Sequence, residues 1–384
     1  MIIPHGAERV TIAFTDATRN CPDERLIGGV LRELETAGVP RDAVTLLCAT
    51  GLHRASTEAE RRAKLGAEIA STVRIVDHAA TDRHQLAELG TIDGIPVVVN
   101  RLCVETDLLI ATGVVEPHQY AGYSGGAKTV AIGCAGEATI TATHGPAMID
   151  RDGVRLGSID ANPFQAFVRE AGRMIGLRHV VNVVLDEHGD TIAEAAGEPN
   201  AVHDALVTRA RAAFETSVDE PAHIVVAGVP PSKGANLYQA SRAATYVALA
   251  ERTPLLPGGV IIVPAGIEEG AGDGLGERRF LELLSGASTA AALVDELRDG
   301  GFPGGAQRAY VLAKVLMRHT VIVAGARHPD VVRACHMIPA TDLDAALDLA
   351  RALVGERFGC VPRILQLPNA LVTLARLTTN SNRP

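Results

Sequence analysis

The sequence predicts an α/β protein of two domains with largely parallel sheets. Short runs rich in valine and isoleucine alternate with longer segments of helical periodicity, which is the pattern of strand-helix-strand units. The chain has 384 residues, and this length is too great for one small hydrophobic core. Its hydrophobic content of 47% and charged content of 21% exclude an intrinsically disordered chain.

The individual elements follow from the same patterns in chain order. Apolar runs predict strands at 9–14, 43–48, 72–76, 108–111, 224–227, 260–263 and 320–323. Helical periodicity predicts helices at 23–37, 57–69, 201–215, 236–252, 277–284, 306–318 and 343–354. Residues 179–195 are predicted to form a hairpin around a glycine-containing turn. The charged stretch 58–64 is interpreted as the solvated face of a helix.

A polar, proline-containing link at 217–222 lies between a predicted helix and a new strand. We therefore expect an N-terminal α/β domain at 1–216 and a C-terminal α/β domain at 217–384. An active-site cleft between the two domains is part of this prediction, because the unusual polar segments come from both halves of the chain.

Composition excludes several classes of protein. The net charge is −9, aromatic residues make up 3% and tryptophan is absent, so binding to nucleic acid is not expected. Apolar runs are all shorter than a membrane span needs, and the N-terminus has no legible signal peptide, so we expect a cytoplasmic protein with no membrane partner. The six cysteines form no C-x-x-C pair, which argues against a zinc knuckle and a disulfide scaffold.

Unusual polar segments follow four of the predicted strands. They are Asp16 to Arg19, Ala49 to Arg54, Gly113 to His118 and Gly228 to Lys233. Ligands bind beyond the carboxyl ends of the strands in open parallel sheets. Each segment alone has an ordinary explanation as a turn or a surface charge, but their shared position predicts a ligand site that gathers cations, Arg54 among them.

The densest polar segment runs from Pro117 to Thr129 and contains three glycines, a serine and Lys128. Such a loop brings backbone N–H groups close to an anion, as phosphate-binding loops do. A Walker A motif requires a second glycine where this chain has Ala127, so the match fails by one residue. A phosphate-bearing ligand remains consistent with the segment. His144 follows without the spacing of a zinc site.

The helix that begins near Asn236 carries polar side chains on one side, namely Asn236, Gln239, Arg242 and Tyr246. This side is either a solvated face or a first turn directed into the cleft, where glutamine and arginine bind a carboxylate. The sequence alone leaves both readings open.

Together these motifs resemble the nickel-pincer nucleotide-dependent lactate racemase family. The resemblance rests on D-x-T-R at 16–19, G-x-H-R at 51–54, P-H-x-x-x-G-Y-S-G-G-x-K at 117–128, His144, and N-L-Y-Q-A at 236–240. The motifs cover both predicted domains, and the third of them is long and specific.

The resemblance implies a cofactor and a set of site residues. The cofactor is a nickel-pincer nucleotide, pyridinium-3,5-bisthiocarboxylic acid mononucleotide nickel, attached covalently at Lys128 and with His144 as the protein ligand of nickel. Further cofactor-binding residues are Asp16, Thr18, Gly125 and Gly126. Residues expected to bind the substrate are Arg19, Tyr238, Gln239 and Arg242. Proteins that synthesise the cofactor are the implied partners.

The implied activity is that of an isomerase, a racemase or 2-epimerase of a 2-hydroxy acid, in which hydride leaves and returns through a 2-oxo acid intermediate. Hydride transfer avoids a carbanion next to a carboxylate. His53 and His118 are the implied acid and base on the two faces of the substrate. Two alternatives remain open, a phosphate-handling enzyme of the P-loop type and a non-catalytic homologue that binds nickel or a nucleotide.

One position departs from the lactate-specific pattern of the family. Arg242 stands where that pattern has lysine. A guanidinium binds a carboxylate through a planar pair of donors, whereas the ammonium group of lysine acts as a point charge. The change is compatible with a different 2-hydroxy acid, such as malate, a longer aliphatic or aryl acid, or a sugar acid.

Overall fold

The computed structural model describes residues 7–378. Within these residues the chain forms two compact units. The first unit extends to Val154 and continues from Ser158 to Ala213, and the second contains Arg155–Gly157 and begins again at Phe214. No helix between residues 7 and 378 combines the length and apolar character that crossing a membrane requires.

The first unit is built from short strands and longer helices. Its strands are β1 (Val10–Thr15), β2 (Val44–Ala49), β3 (Arg74–Asp77), β4 (Leu86–Ile92), β5 (Ile95–Asn100), β6 (Leu108–Val114), β7 (Pro117–His118), β8 (Gly122–Tyr123), β9 (His179–Leu185) and β10 (Thr191–Gly197). Its helices are α1 (Asp23–Thr36), α2 (Glu58–Thr72), α3 (Lys128–Ala131), α4 (Glu137–His144), α5 (Pro146–Ile149), α6 (Pro163–Ile175) and α7 (Pro199–Phe214).

Six strands of this unit form one sheet in the order β10-β9-β6-β1-β2-β3. All neighbours are parallel except β9 and β10, which pair as the predicted antiparallel hairpin. The central strand β1 is buried on both faces, as the continuous apolar run VTIAFT requires. The apolar side chains of α1 pack against it, among them Ile27, Leu31 and Leu34.

The second unit contains the remaining elements. Its strands are β11 (Glu215–Val218), β12 (Ala222–Ala227), β13 (Leu255–Pro264), β14 (Thr320–Ala324), β15 (Ile338–Ala340), β16 (Ile364–Leu367) and β17 (Leu374–Leu377). Its helices are α8 (Pro231–Gly234), α9 (Leu237–Ala240), α10 (Arg242–Ala248), α11 (Leu275–Gly286), α12 (Ala290–Asp299), α13 (Gln307–Leu316), α14 (Pro329–Ala334) and α15 (Leu343–Phe358).

Five strands of the second unit form an all-parallel sheet in the order β15-β14-β13-β12-β16, and β11 pairs with β17 in a separate ribbon. Helix α15 covers one face through Ala346, Ala350 and Val354, which are fully buried against the strands. The α/β fold class with largely parallel sheets is therefore confirmed in both units.

The predicted helix 236–252 is wrong in its extent. The structure has two short helices, α9 and α10, and α10 ends at Ala248. Beyond Ala248 the backbone leaves the helical path and pairs with residue 156. Ala250 forms an isolated parallel bridge with Leu156, and the Glu251 N–H donates to the Leu156 carbonyl at 3.3 Å. A tertiary backbone contact here overrides local helical propensity.

Candidate active site

The strand order places the predicted polar segments of the first unit side by side. Strand β1 is central in the sheet. Strands β2 and β3 follow it toward one edge, and β6, β9 and β10 follow it toward the other edge. Strands β6, β1 and β2 are therefore adjacent and parallel, and their carboxyl ends lie at one edge of the sheet. The reversal between β1 and β6 is a topological switch point, where open α/β sheets bind ligands.

Asp16 and His53 form a hydrogen-bonded pair at this edge. His53 Nδ1 lies 2.6 Å from Asp16 Oδ2, and Thr18 donates to Asp16 Oδ1 through its hydroxyl at 2.6 Å and its backbone N–H at 3.2 Å. Burial alone raises the pKa of Asp16, but the hydrogen bonds from His53 and Thr18 and the charges of His53 and Arg19 bring it below its ordinary value. Asp16 is thus a carboxylate, which fixes the hydrogen of a neutral His53 on Nδ1 and leaves the Nε2 lone pair available.

A buried ion pair supports the loop that carries Asp16 and Arg19. Lys64 Nζ donates to the carbonyls of Arg19 and Cys21 at 2.6 and 3.0 Å and lies 3.1 Å from Asp23 Oδ2. The side chain of Lys64 is 10% exposed and that of Asp23 is 0% exposed. The interpretation of 58–64 as a solvated face is therefore wrong at Lys64, which fixes the position of a site loop instead.

His118 has the opposite hydrogen arrangement. It lies on β7, and its Nδ1 accepts from the backbone N–H groups of Tyr120 and Ala121, both at 3.2 Å. The hydrogen of a neutral His118 is consequently on Nε2. His53 thus offers an acceptor at Nε2, whereas His118 offers a donor at the same ring position.

The glycine-rich loop before Lys128 is held from two sides. Gly126 N–H donates to Asn182 Oδ1 at 2.7 Å, and His203 Nε2 donates to the Ser124 carbonyl at 3.1 Å. Gly125 and Gly126 have φ values of +89° and +56°, which side-chain-bearing residues rarely adopt. At Gly125 a Cβ atom would lie 2.5 Å from a Val115 methyl group, so the loop packs too closely for any other residue.

The pKa values of Lys128 and His144 are both lowered, which favours the neutral form of each side chain. Burial, followed by the positive charge of Arg19, lowers the pKa of Lys128 to about 7, against the opposing charges of Glu116 and Asp16. Burial, followed by the charge of Lys128, lowers the pKa of His144 to about 4. Lys128 is therefore a partly neutral amine near pH 7, and His144 is a neutral imidazole.

The orientation of His144 leaves one nitrogen for a ligand. His144 Nδ1 lies 3.0 Å from the Ile140 carbonyl, which can only accept, so Nδ1 carries the hydrogen and Nε2 carries the lone pair. The rings of Tyr120 and Phe164 contact the imidazole edge to face, with centroids at 5.5 and 5.2 Å. A backbone carbonyl at the second nitrogen is the usual partner of a metal-binding histidine.

Site residues that the sequence interpretation missed are Tyr120, Phe164, Asn182, His203, Asp23 and Lys64. Arg54 does not belong to the site, because its guanidinium forms an ion pair with Glu60 at 2.6 Å and is 69% exposed. Among residues 7–378, no three His, Cys, Asp or Glu side chains are arranged to hold a metal ion.

The predicted substrate residues of the second unit lie at the start of α9 and α10. Asn236 caps α9 by accepting from the Gln239 N–H at 3.0 Å, and Arg242 Nη2 donates to the Tyr246 hydroxyl at 2.9 Å. Asn236 and Tyr246 are buried, and Gln239 and Arg242 are half-buried. This side is therefore not a solvated face, which was one of the two readings of the sequence.

Comparison with known proteins assigns the family. Residues 3–157 match the lactate racemase N-terminal domain, and residues 219–369 match the lactate racemase C-terminal domain. The chain belongs to the lactate racemase family. This assignment supports an isomerase of the racemase class and favours it over the P-loop alternative.

Individual relatives cover nearly the whole chain. Lactate racemase from Thermoanaerobacterium thermosaccharolyticum is 30% identical over 357 residues, which are 92% of this chain and 82% of the relative. Lactate racemase from Lactiplantibacillus plantarum is 30% identical over 381 residues, which are 97% and 86% of the two chains.

Solved structures agree in fold. The lactate racemase apoprotein from T. thermosaccharolyticum has a TM-score of 0.87 at 27% identity, covering 97% of this chain and 87% of that chain. A protein from Thermotoga maritima has a TM-score of 0.71 at 20% identity, and the match covers 98% of this chain and 95% of that chain. At this level of identity the match supports the fold alone.

The low pKa of Lys128 predicts a pH-dependent cost to the stability of the apoprotein. Lysine titrates near pH ~10.4 when unfolded, whereas folded Lys128 has a pKa of about 7. Between these values the unfolded chain binds more protons, so the free energy of unfolding rises with pH. We expect Lys128→Met to be more stable than the wild type at pH 6.5 in urea unfolding, with the difference shrinking toward pH 10. A pH-independent difference would contradict the buried amine.

Proposed function

We propose that this protein is a racemase or 2-epimerase of a 2-hydroxy acid. The observation that carries the proposal is the hydrogen bond of His53 Nδ1 to Asp16, which leaves the Nε2 lone pair of a neutral His53 available as a proton acceptor. The backbone N–H groups at His118 Nδ1 leave the Nε2 atom of the second histidine as the one available to the substrate. A reaction that inverts one carbon needs acid and base groups for the two faces of the substrate. The N-terminal domain, predicted at 1–216, carries this pair.

The residues present fit a nickel-pincer nucleotide. Lys128 has a pKa of about 7 and so supplies a neutral, nucleophilic amine for covalent attachment. His144 has an imidazole Nε2 lone pair, and neutral imidazole is a good ligand for nickel. We propose Lys128 as the attachment point and His144 as the protein ligand of nickel, with the other donors from the cofactor. Asp16, Thr18, Gly125 and Gly126 complete the proposed cofactor-binding set.

When bound, the cofactor would accept the hydride of the substrate carbon and return it. The residues of this chain would handle the proton of the hydroxyl group. For one enantiomer His53 Nε2 would accept that proton and become an imidazolium, and an imidazolium form of His118 would return a proton from Nε2 to the oxygen and become neutral when the opposite face is presented. For the other enantiomer the two roles exchange. Asp16 stabilises the positive charge that His53 gains, because its carboxylate lies 2.6 Å from Nδ1.

Substrate orientation is proposed for Arg19, Tyr238, Gln239 and Arg242. Gln239 Oε1 is buried and has no hydrogen-bond partner within the described part of the chain, so a substrate hydroxyl that donates to it would satisfy a buried acceptor. Arg242 has a guanidinium in place of the lysine of the lactate-specific pattern. Lactate is the substrate of the named relatives, and the general class proposed here is the 2-hydroxy acids.

A chiral assay tests the proposed function. The protein is purified from a host that makes the cofactor, since the cofactor-synthesis proteins are its expected partners, and it is incubated with L-lactate and with other 2-hydroxy acids. We expect conversion of at least one acid to a mixture of both enantiomers or epimers. If the protein carries nickel and leaves every acid of the panel unchanged, it is a non-catalytic homologue and the proposal is wrong.

A further inference from the structure

Arg308, on α13, is a cation of the second unit that lies outside the family motifs. Its guanidinium carbon lies 4.9 Å from the centroid of the Tyr238 ring, in a cation–π contact. The Tyr238 ring in turn contacts Phe280 edge to face at 5.5 Å. Arg308 is therefore held against one of the proposed substrate residues by aromatic packing, which fixes the plane of the guanidinium.

Two of the three guanidinium nitrogens of Arg308 lack a hydrogen-bond partner among the described residues. Its Nε and Nη1 atoms are both buried and have no hydrogen-bond partner within residues 7–378. Half-buried Arg169, by contrast, lacks a partner at Nε alone and still forms an ion pair with Asp204. Burying two guanidinium nitrogens without a partner is unfavourable, and an anionic ligand would relieve that cost.

Charges around Tyr238 favour an anion as that ligand. Arg242 follows Tyr238 by one helical turn, and its guanidinium lies 5.4 Å from the Tyr246 ring. Arg242 thus lies four residues after Tyr238 in the chain and Arg308 lies over the Tyr238 ring, and one substrate carboxylate needs only one of these two cations.

We propose that Arg308 binds a second carboxylate of the substrate, so that the preferred substrates are 2-hydroxy dicarboxylic acids. This inference rests on the proposed function and narrows its substrate class. Arg308 acts as a specificity-determining residue, since it contacts the part of the substrate that does not react. Its guanidinium offers donors in a fixed plane, and this geometry suits a carboxylate.

Two measurements test this proposal with Arg308→Met, and Arg351→Met serves as the control because Arg351 is exposed and paired with Asp348 on α15. For the nickel-loaded enzyme we expect kcat/KM for malate to fall about 10- to 100-fold in Arg308→Met, while kcat/KM for lactate stays within about threefold. The control variant should match the wild type for both acids. Equal losses for malate and lactate, or a wild type that prefers lactate, would overturn the inference and leave the racemase function standing.

Binding without turnover separates this inference from the proposed function. Succinate has both carboxylates and no hydroxyl, and butyrate has one carboxylate, so calorimetry with the apoprotein compares them directly. We expect succinate to bind the wild type and to bind Arg308→Met at least about tenfold more weakly, with butyrate binding unchanged. Enzyme that binds succinate in this way yet racemises no acid would contradict only the proposed function. Succinate binding that is equal in the two proteins would contradict only the inference.

Protein stability distinguishes a binding residue from a structural one. Removing a half-buried cation that has two unpartnered nitrogens should leave the melting temperature unchanged or raise it, whereas losing a structural arginine should lower it. Arg308→Lys keeps the charge and loses the planar group, and we expect an intermediate kcat/KM for malate. Folded Arg308→Lys with wild-type values for malate would show that recognition does not depend on the guanidinium.

Discussion

Replacing either His53 or His118 by alanine is expected to lower kcat for racemisation by about 100- to 10,000-fold, with nickel and cofactor still bound. Each variant removes one of the two groups proposed to handle the hydroxyl proton. His53 is paired with Asp16 at 2.6 Å, and His118 is bound by two backbone N–H groups at 3.2 Å. Chiral chromatography of the product, together with nickel analysis of the same sample, provides the measurement.

The control for this pair is His188→Ala, because His188 lies in an exposed turn with 77% of its side chain accessible. It should retain full activity. The kcat of Asp16→Asn should lie between that of the wild type and that of His53→Ala. This variant keeps a hydrogen-bond partner for His53 Nδ1 but removes the charge that stabilises a protonated ring. Wild-type activity in His53→Ala or in His118→Ala would show that the two-histidine assignment is wrong.

Lys128→Arg and His144→Ala are expected to separate the two proposed attachments of the cofactor. Lys128→Arg keeps a cation but lacks an amine that becomes neutral near pH 7, so the peptide with residue 128 should carry no added mass. His144→Ala removes the imidazole whose Nε2 lone pair is available, so the nickel content of the purified protein should fall to near zero. Mass spectrometry of the peptide and metal analysis report these losses independently of activity.

Two variants act as controls for the attachment experiment. Lys314→Ala alters a lysine on α13, outside the glycine-rich loop and the other polar segments, and His84→Ala alters an exposed histidine. Both should carry the added mass on the Lys128 peptide and a full complement of nickel. Nickel retained at the wild-type level in His144→Ala would mean that another residue is the ligand, and added mass on a different peptide would exclude Lys128 as the attachment point.

Much of the fold was accessible from the sequence because the hydrophobic periodicity is strong. The continuous apolar runs at 108–111 and 260–263 lie in β6 and β13, which are buried central strands. The rule that parallel sheets bind ligands beyond their carboxyl ends then predicted that Asp16, His53 and His118 approach one edge, and the strand order brings their three segments there.

Some elements were missed although their signals were present. Helix α6 has Asn162 as its cap, Pro163 at its first position and Gly176 after its end in the left-handed conformation. The hairpin of β4 and β5 turns at Asp93 and Gly94, which is a strong turn signal. These residues were readable from the sequence alone.

The remaining features depend on tertiary burial, which sequence patterns do not report. Lys64 occupies a charged stretch of α2, yet its ammonium is buried beside Asp23 because the loop after β1 passes over it. Arg308 has no sequence signal that distinguishes it from other arginines of the chain. The tautomer of His53 depends on a hydrogen bond to Asp16 in another loop, and that of His118 depends on the local turn that directs two backbone N–H groups to its Nδ1, and only coordinates reveal these contacts.

Racemisation in deuterated water tests the central claim of hydride transfer at this site. Nickel-loaded enzyme is incubated with L-lactate, or with the acid that it racemises fastest, and the opposite enantiomer is isolated and analysed by mass spectrometry. If the substrate hydrogen leaves and returns as hydride while His53 and His118 handle only the hydroxyl proton, the new enantiomer keeps protium on its second carbon. Deuterium on that carbon at the rate of racemisation would show proton abstraction instead and would contradict the account.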